Sequence, residues 1–241
     1  MMLVSRSGEE LKKSVKSVLQ QEPDEFRAYI DTKTIPNVDE AKVVLKDANA
    51  NISDFIYPKM DHHQNIVHNY HRAILEANCE WVVKADDEDE LVGDRKQILR
   101  NCVEQNCGII HGDKIVDYGI NKETQEGTQI NGCNDLRFKR IYSGTVMFRK
   151  RAFQQIHSIL DHGYFYDWKT WYWILRAGWN SKYIHEVLYY QNWTLPKQDR
   201  LLVYGTFPQV IDKLNAVPNE LLEYSKGLKS KDWKYHLSIV E

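Results

Sequence analysis

The chain opens on a short apolar run, residues 1–4, that breaks at once into the polar stretch Ser5-Arg6-Ser7. A run of this length with such a boundary predicts a buried strand. Beyond it, Leu11, Val15, Val18 and Leu19 recur at helical spacing and predict a helix with one apolar stripe. Ser7 is placed to cap that helix, Glu9 and Glu10 suit its first turn, and Pro23 marks its end. Residues 26–30 predict a second strand, stopping at Asp31, and residues 52–57 a third, with a short helix between them. Val67, Tyr70, Ile74 and Ala77 then share a helical face, with Ile66 and Ala73 beside them. The run Trp81-Val82-Val83-Lys84-Ala85 follows as a central strand. Alternation of strand and helix implies a mostly parallel sheet with helices on both faces.

The second half is less regular. Ile109-Ile110 and Ile115-Val116 flank His111-Gly112-Asp113-Lys114, which predicts a hairpin turning at Gly-Asp. Residues 119–136 are polar and glycine-bearing and read as a long loop near a site. Residues 141–148 return to strand and 152–160 to a short helix. Asp167 then heads a helix in which Trp168, Trp171, Tyr172 and Leu175 can face inward, and Gly178 ends it. Residues 183–190 predict a closing strand. The tail is read as helical, with Val210, Leu214, Leu221 and Leu222 as packing residues and Pro196, Pro208 and Pro218 dividing it. The division expected is therefore a domain over 1–195 and a helical extension over 196–241. That extension is suited to covering an acceptor site, to capping the domain or to a dimer contact.

Composition narrows this picture. A chain of 241 residues with 42% hydrophobic content can bury a sizeable core. With 32 basic against 34 acidic residues there is no global charge to attract nucleic acid, and no basic stripe with interleaved aromatics. The four cysteines form no Cys-x-x-Cys pair and no zinc-type spacing, so they read as ordinary thiols. No run approaches the roughly 18 apolar residues of a membrane span, and the opening apolar run is too short for a leader. A cytoplasmic setting is the expectation.

Chemistry concentrates at strand ends. Asp86-Asp87-Glu88-Asp89 starts where the 81–85 strand stops, and Asp31 ends another strand. Ligands of open α/β sheets bind at those carboxyl ends. Crowded carboxylates repel one another unless a cation sits among them, and hard Mg²⁺ or Mn²⁺ takes oxygen ligands and can neutralise a diphosphate. A solvated acidic turn is the plainer alternative. Asp167, set among Tyr164, Tyr166, Trp168 and Trp171, is a candidate base whose pKa desolvation would raise. Its plainer alternative is an ordinary helix-start aspartate. Lys84, Arg95, Lys139 and Arg140 are candidate phosphate contacts. His185 is a weaker candidate for approaching a metal, and His62, His63 and His68 read as structural or surface residues.

The order and spacing of several segments resemble the inverting family 2 glycosyltransferases with the GT-A fold. They are Leu3-Val4-Ser5-Arg6-Ser7-Gly8, Ser17-Val18-Leu19-Gln20-Gln21, Ile30-Asp31-Thr32 and Ala85-Asp86-Asp87-Glu88-Asp89-Glu90-Leu91. Further along come Ser143-Gly144-Thr145-Val146-Met147-Phe148-Arg149-Lys150, Tyr166-Asp167 leading to Arg176-Ala177-Gly178, and Glu186-Val187-Leu188-Tyr189-Tyr190. The likeness spans about residues 1–195. It implies a Rossmann-like, mostly parallel central sheet flanked by helices, a nucleotide-sugar donor (a UDP-sugar favoured) and a glycan or other hydroxyl acceptor. It further implies Asp167 as general base, Asp31 at the nucleotide, and Mn²⁺ or Mg²⁺ at Asp87, Glu88 and Asp89 in a register that the run leaves ambiguous. Donor contacts are expected from Ser5, Arg6, Asp31, Lys84, Asp86, Asp87, Arg140, Ser143, Gly144 and Trp168. Three features depart from the family pattern: Tyr166 stands where a glutamate is usual, Ser5-Arg6-Ser7 replaces the commoner first loop, and the helix before the acidic run has no clean match to the family's asparagine, with His71 near that place and Asn69 close by. A nucleotidyltransferase and a noncatalytic nucleotide-sugar or glycan binder are the competing readings. A dehydrogenase is disfavoured because no Gly-x-Gly-x-x-Gly follows the first strand.

Overall fold

The computed structural model describes residues 1–58, 61–102, 105–160 and 166–193, together with Asn215. The boundary near 195, the packing residues expected in the tail, and Tyr164 lie outside the described residues.

The protein is a mixed α/β structure with a parallel sheet flanked by helices. Strands β1 (Met2–Val4), β2 (Arg27–Ile30) and β3 (Asn51–Asp54) are separated by helices α1 (Glu9–Gln20) and α2 (Val38–Asp47). Helix α3 (His62–Glu76) follows, then β4 (Trp81–Val83) and β5 (Ala85–Asp86). The parallel sheet runs β3-β2-β1-β5. Its residues alternate between two faces, as strand geometry requires. Met2, Val4, Ala28 and Ile30 pack with Leu11, Val15 and Val18 of α1 and Ala41 and Leu45 of α2. Leu3 and Tyr29 point the other way, to Ala73 and Ile66 of α3.

A second, mixed sheet continues from the first. Strand β6 (Glu90–Leu91) and helix α4 (Arg95–Cys102) precede the long β7 (Cys107–Asp117) and its partner β8 (Lys122–Gln125). Strand β9 (Met147–Arg149), helices α5 (Lys150–Ile156) and α6 (Tyr166–Arg176), and β10 (Asn180–Asn192) complete it. The order is β4-β9-β7-β10-β6, with β8 on β7, and β7 and β10 are its parallel pair. Phe148, Phe153, Trp171, Tyr172 and Ile174 form its core together with Tyr70 and Ile74, so α3 serves both sheets. Each such buried side chain contributes about 1.5–3 kcal/mol.

The strand expected over 81–85 is divided at one residue. Residues 81–83 pair with β9 in the mixed sheet, residues 85–86 pair with β1 in the parallel sheet, and Lys84 is the seam.

Several local expectations are corrected. Gly112-Asp113 is not a turn but the middle of the continuous strand β7. A Cβ on Gly112 would lie 2.6 Å from the Glu186 carbonyl oxygen, so this glycine serves close approach of β10 rather than a reversal. Asp113 accepts hydrogen bonds across the structure, from the Tyr183 hydroxyl at 2.6 Å and the Gly127 amide at 2.8 Å. The chain reverses later, where the Tyr118 amide meets the Asn121 carbonyl at 2.9 Å and Gly119 takes φ 85°. The polar stretch 119–136 therefore holds β8 and a 3-10 turn (Cys133–Arg137). Helix α1 is entered through Gly8, at φ 85°, with no side-chain cap from Ser7. Residues 141–148 split into a 3-10 turn (Ser143–Thr145) and the short β9.

Candidate active site

The carboxyl ends of β1, β2 and β5 lie side by side. Leu3 is in register with Asp86, and the Asp31 amide bonds the Val4 carbonyl at 2.8 Å. The expected site residues gather there into two clusters and one separate carboxylate.

The first cluster is Ser5, Arg6, Asp87 and Glu88. The Asp87 Oδ2 accepts from the Ser5 amide at 2.6 Å and from its hydroxyl at 3.1 Å. Arg6 pairs with Glu88 and lies 4.0 Å from the Asp87 Oδ1. Burial pushes the Asp87 carboxyl up to about 6, with the charge of Asp86 adding to it and the Ser5 amide and Arg6 opposing.

The second cluster lines a cavity of about 350 Å³. Its walls include Lys84, Asp86, Arg140, Ser143, Gly144, Asp167 and Trp168, seven of the expected residues. The Lys84 ammonium is 3.2 Å from the Asp86 Oδ1, 3.2 Å from the Tyr166 hydroxyl and 4.0 Å from the Asp167 Oδ2. Burial alone would lower its pKa; Asp86, Tyr166 and Asp167 outweigh that and hold it well above the usual lysine range. The Ser143 hydroxyl donates to the same Asp167 oxygen at 2.5 Å. Helix α6 carries Asp167 in its first turn and anchors it through the buried Trp171 and Tyr172. Tyr166, the residue that departs from the family pattern, is thus the phenol that fixes Lys84; its ring meets Tyr70 edge-on at 5.1 Å.

Asp31 stands apart from this cavity. It is buried, accepts from the Tyr57 hydroxyl, and takes the Lys33 amide at 3.1 Å. Lys139 binds Asp135 at 2.9 Å and the Gln129 carbonyl at 3.1 Å, and is not among the cavity residues. Arg95 is buried behind the wall, donating to the Val92, Leu188 and Gly144 carbonyls, which is a structural task. His185 is exposed and meets the Tyr183 ring edge-on at 4.5 Å.

Tyr189 is a site residue that the sequence reading missed. Its hydroxyl lies 2.6 Å from the Asp86 Oδ2 and 2.7 Å from the Asp89 Oδ2. One phenol proton serves one carboxylate at a time. Lys84 balances Asp86, and the Asn192 amide reaches the Asp89 Oδ1 at 2.7 Å. Gly144 has a matching steric role, because a Cβ there would fall 2.3 Å from the Tyr189 ring. Tyr189, Gln191 and Trp193 all line the cavity. Their period-two spacing in the closing strand was the available signal.

The carboxylates offered to a divalent ion already have partners. Asp87 is taken by Ser5, Glu88 by Arg6, and Asp89 by Tyr189 and Asn192. Among the described residues, no group of three or more His, Cys, Asp or Glu side chains is arranged to hold a metal. Arranged in this way, residues 87–89 do not fit the metal ligand set expected of them.

No protein-family model matches the chain, and no curated sequence is significantly similar to it. Solved structures do match. The mixed α/β fold is shared with S. aureus TarS. One neighbour is S. aureus TarS residues 1–349 in complex with UDP, at TM-score 0.57 and 11% identity, covering 98% of this chain and 69% of that one. Another is S. aureus TarS 1–349, at TM-score 0.56 and 11% identity, covering 79% and 59%. A third is S. aureus TarS, at 0.58 and 11%, covering 96% and 44%. At this identity the likeness concerns the fold. No helix among the described residues is long and apolar enough to cross a membrane.

Proposed function

We propose that this protein is an inverting glycosyltransferase of the GT-A, family 2 type, moving a sugar from a UDP-sugar to a hydroxyl of a glycan or similar acceptor. The observation that carries this reading is the meeting of Asp167, Ser143, Lys84 and Asp86 in one cavity, at strand carboxyl ends, in a fold shared with glycosyltransferases. The UDP bound to a neighbour of the same fold favours uridine diphosphate as the leaving group.

In the reaction, the acceptor oxygen attacks the anomeric carbon from the face opposite the diphosphate. The new C–O bond forms as the bond from the anomeric carbon to the phosphate oxygen breaks, and that electron pair departs on UDP. The acceptor proton passes to Asp167. Ser143 holds the Asp167 oxygen that also faces Lys84, which orients the carboxylate for this task. Trp168, Tyr142 and Trp193 give the cavity flat apolar walls against which a sugar ring can lie while water is excluded.

The test is a panel of nucleotide-sugars, with released nucleoside diphosphate as the readout. UDP release from a UDP-sugar, accelerated by an acceptor glycan, is expected. Consumption of a nucleoside triphosphate with pyrophosphate release would mark a nucleotidyltransferase instead. Saturable nucleotide-sugar binding with no release under any condition would mark a noncatalytic binder.

A further inference from the structure

The cavity holds a cation in a place where the expected acidic ligands do not assemble. Lys84 sits at the seam between the two sheets, one residue before β5, so its backbone is fixed by pairing on either side. Its side chain is largely buried, with 12% of its surface exposed, and it faces Asp86 and Asp167 together. An ammonium has three donors. Asp86 and Tyr166 lie at 3.2 Å from it and Asp167 at 4.0 Å, beyond hydrogen-bond length, so among the described residues two of the three donors are taken up. Lys114 and Arg140 line the same cavity, which gives it three cationic side chains against the two carboxylates of Asp86 and Asp167. Lys114 is held by the Gln191 side chain at 2.8 Å. The acidic residues that follow Asp86 are meanwhile engaged by Ser5, Arg6, Tyr189 and Asn192.

Resting on the donor reading above, we propose that Lys84 does the work of a divalent ion: its ammonium, held between Asp86 and Asp167, meets the donor's diphosphate, so that nucleotide binding and transfer need no metal. A diphosphate brings oxygens that accept the third N–H, and its charge is shared by Lys114 and Arg140. As the sugar–oxygen bond breaks and negative charge grows on UDP, the fixed ammonium is already aimed at it. Its stabilising effect requires no reorganisation at that moment. Tyr166 is then a positioning residue: its phenol holds Lys84 without adding charge, where a third carboxylate beside Asp86 and Asp167 would draw the ammonium away from the phosphates. A lysine between two carboxylates presents a compact point charge, which is one of the usual ways a side chain meets phosphate.

The experiment is calorimetric binding of UDP, GDP and ADP to the full chain, in EDTA and again in Mn²⁺. It uses the wild type, Lys84→Met and Lys84→Arg, each checked for folding by circular dichroism. The expected result is UDP binding in EDTA within about 3-fold of that in Mn²⁺. Lys84→Met is expected to weaken it about 10–100-fold, the scale of a lost charge-assisted hydrogen bond, and Lys84→Arg to recover most of that loss. UDP binding by the wild type that appears only with Mn²⁺ overturns the inference and leaves the glycosyltransferase reading standing. So does a folded Lys84→Met that binds UDP as the wild type does in EDTA. Should Lys84→Met not fold, the wild-type comparison and Lys84→Arg decide. Failure of every nucleotide to bind in either condition overturns the donor reading itself, and this inference with it.

Discussion

The two charged clusters at the sheet edge use the same residue types to different ends. In the Ser5–Arg6–Asp87–Glu88 cluster, carboxylates and donors face one another: a serine closes one acid and an arginine the other. In the Lys84–Asp86–Ser143–Asp167 cluster, the same kinds of group surround open volume. A cluster that satisfies itself holds two loops together. A cluster whose groups line an open cavity can bind something. The acidic run thus divides between the two: Asp86 belongs to the open cluster, Asp87 and Glu88 to the closed one, and Asp89 is tied to the closing strand through Asn192.

The sharpest way to break this contrast is Asp167→Asn. The substitution keeps the shape and removes the base. Turnover should fall about 10²–10⁴-fold, the usual worth of general base catalysis. UDP affinity should stay the same or improve, because Lys84 loses one of its two counter-charges. Steady-state kinetics paired with UDP calorimetry makes the measurement. Retained turnover would remove Asp167 from the mechanism, and a parallel collapse of UDP affinity would recast it as a donor contact.

The parallel half of the fold was legible in the sequence, because short apolar runs alternate there with helical stripes over the first 90 residues. Residues 2–4, 27–30 and 62–76 fall where the periodicity put them. The mixed half was less so. Gly112-Asp113 carries turn chemistry, yet tertiary contact between β7 and β10 decides its conformation. Helix α4 went unseen because its apolar content is low. The candidate site was readable as residue types, since Lys84, Asp86, Ser143 and Asp167 do meet. How the acidic run divides was not readable. That depends on Tyr189 and Asn192, which arrive from about a hundred residues away.

A middle-sized effect is expected at Asp87 in the closed cluster. Its folded pKa of about 6 lies above the ordinary aspartate value near 3.9. The folded state therefore holds a proton more readily than the unfolded chain. The resulting penalty on stability is absent below about pH 4, grows as pH rises through 4 to 6, and is complete above that window. Two pKa units correspond to about 2–3 kcal/mol. Asp87→Asn should accordingly raise the melting temperature at pH 7.5, with the gain shrinking towards zero at pH 4. A melting series across that range tests the sign as well as the size. A variant less stable than wild type at pH 7.5 would mean that Arg6 and Ser5 outweigh burial, making the closed cluster a net electrostatic anchor.

The smallest change is expected from Glu88→Gln. The Arg6–Glu88 pair has one partner about a third exposed, at 36%, and pairs of that kind contribute about 0–1 kcal/mol. For a chain of this size that is at most about 4 °C in melting temperature, and part of it should disappear as salt rises and screens the pair. The more telling readout is UDP affinity. Glutamine still accepts a hydrogen bond from Arg6 but no longer neutralises it. If the first cluster is closed, as its contacts indicate, Arg6 stays where it is and UDP binding changes by less than about 2-fold. Tighter UDP binding in Glu88→Gln, strongest at low salt, would show that Arg6 swings to the phosphates once its partner is neutral. Arg6 would then belong to the open cluster, held in reserve by Glu88, and the boundary between the two clusters would lie between Asp87 and Arg6 rather than around both.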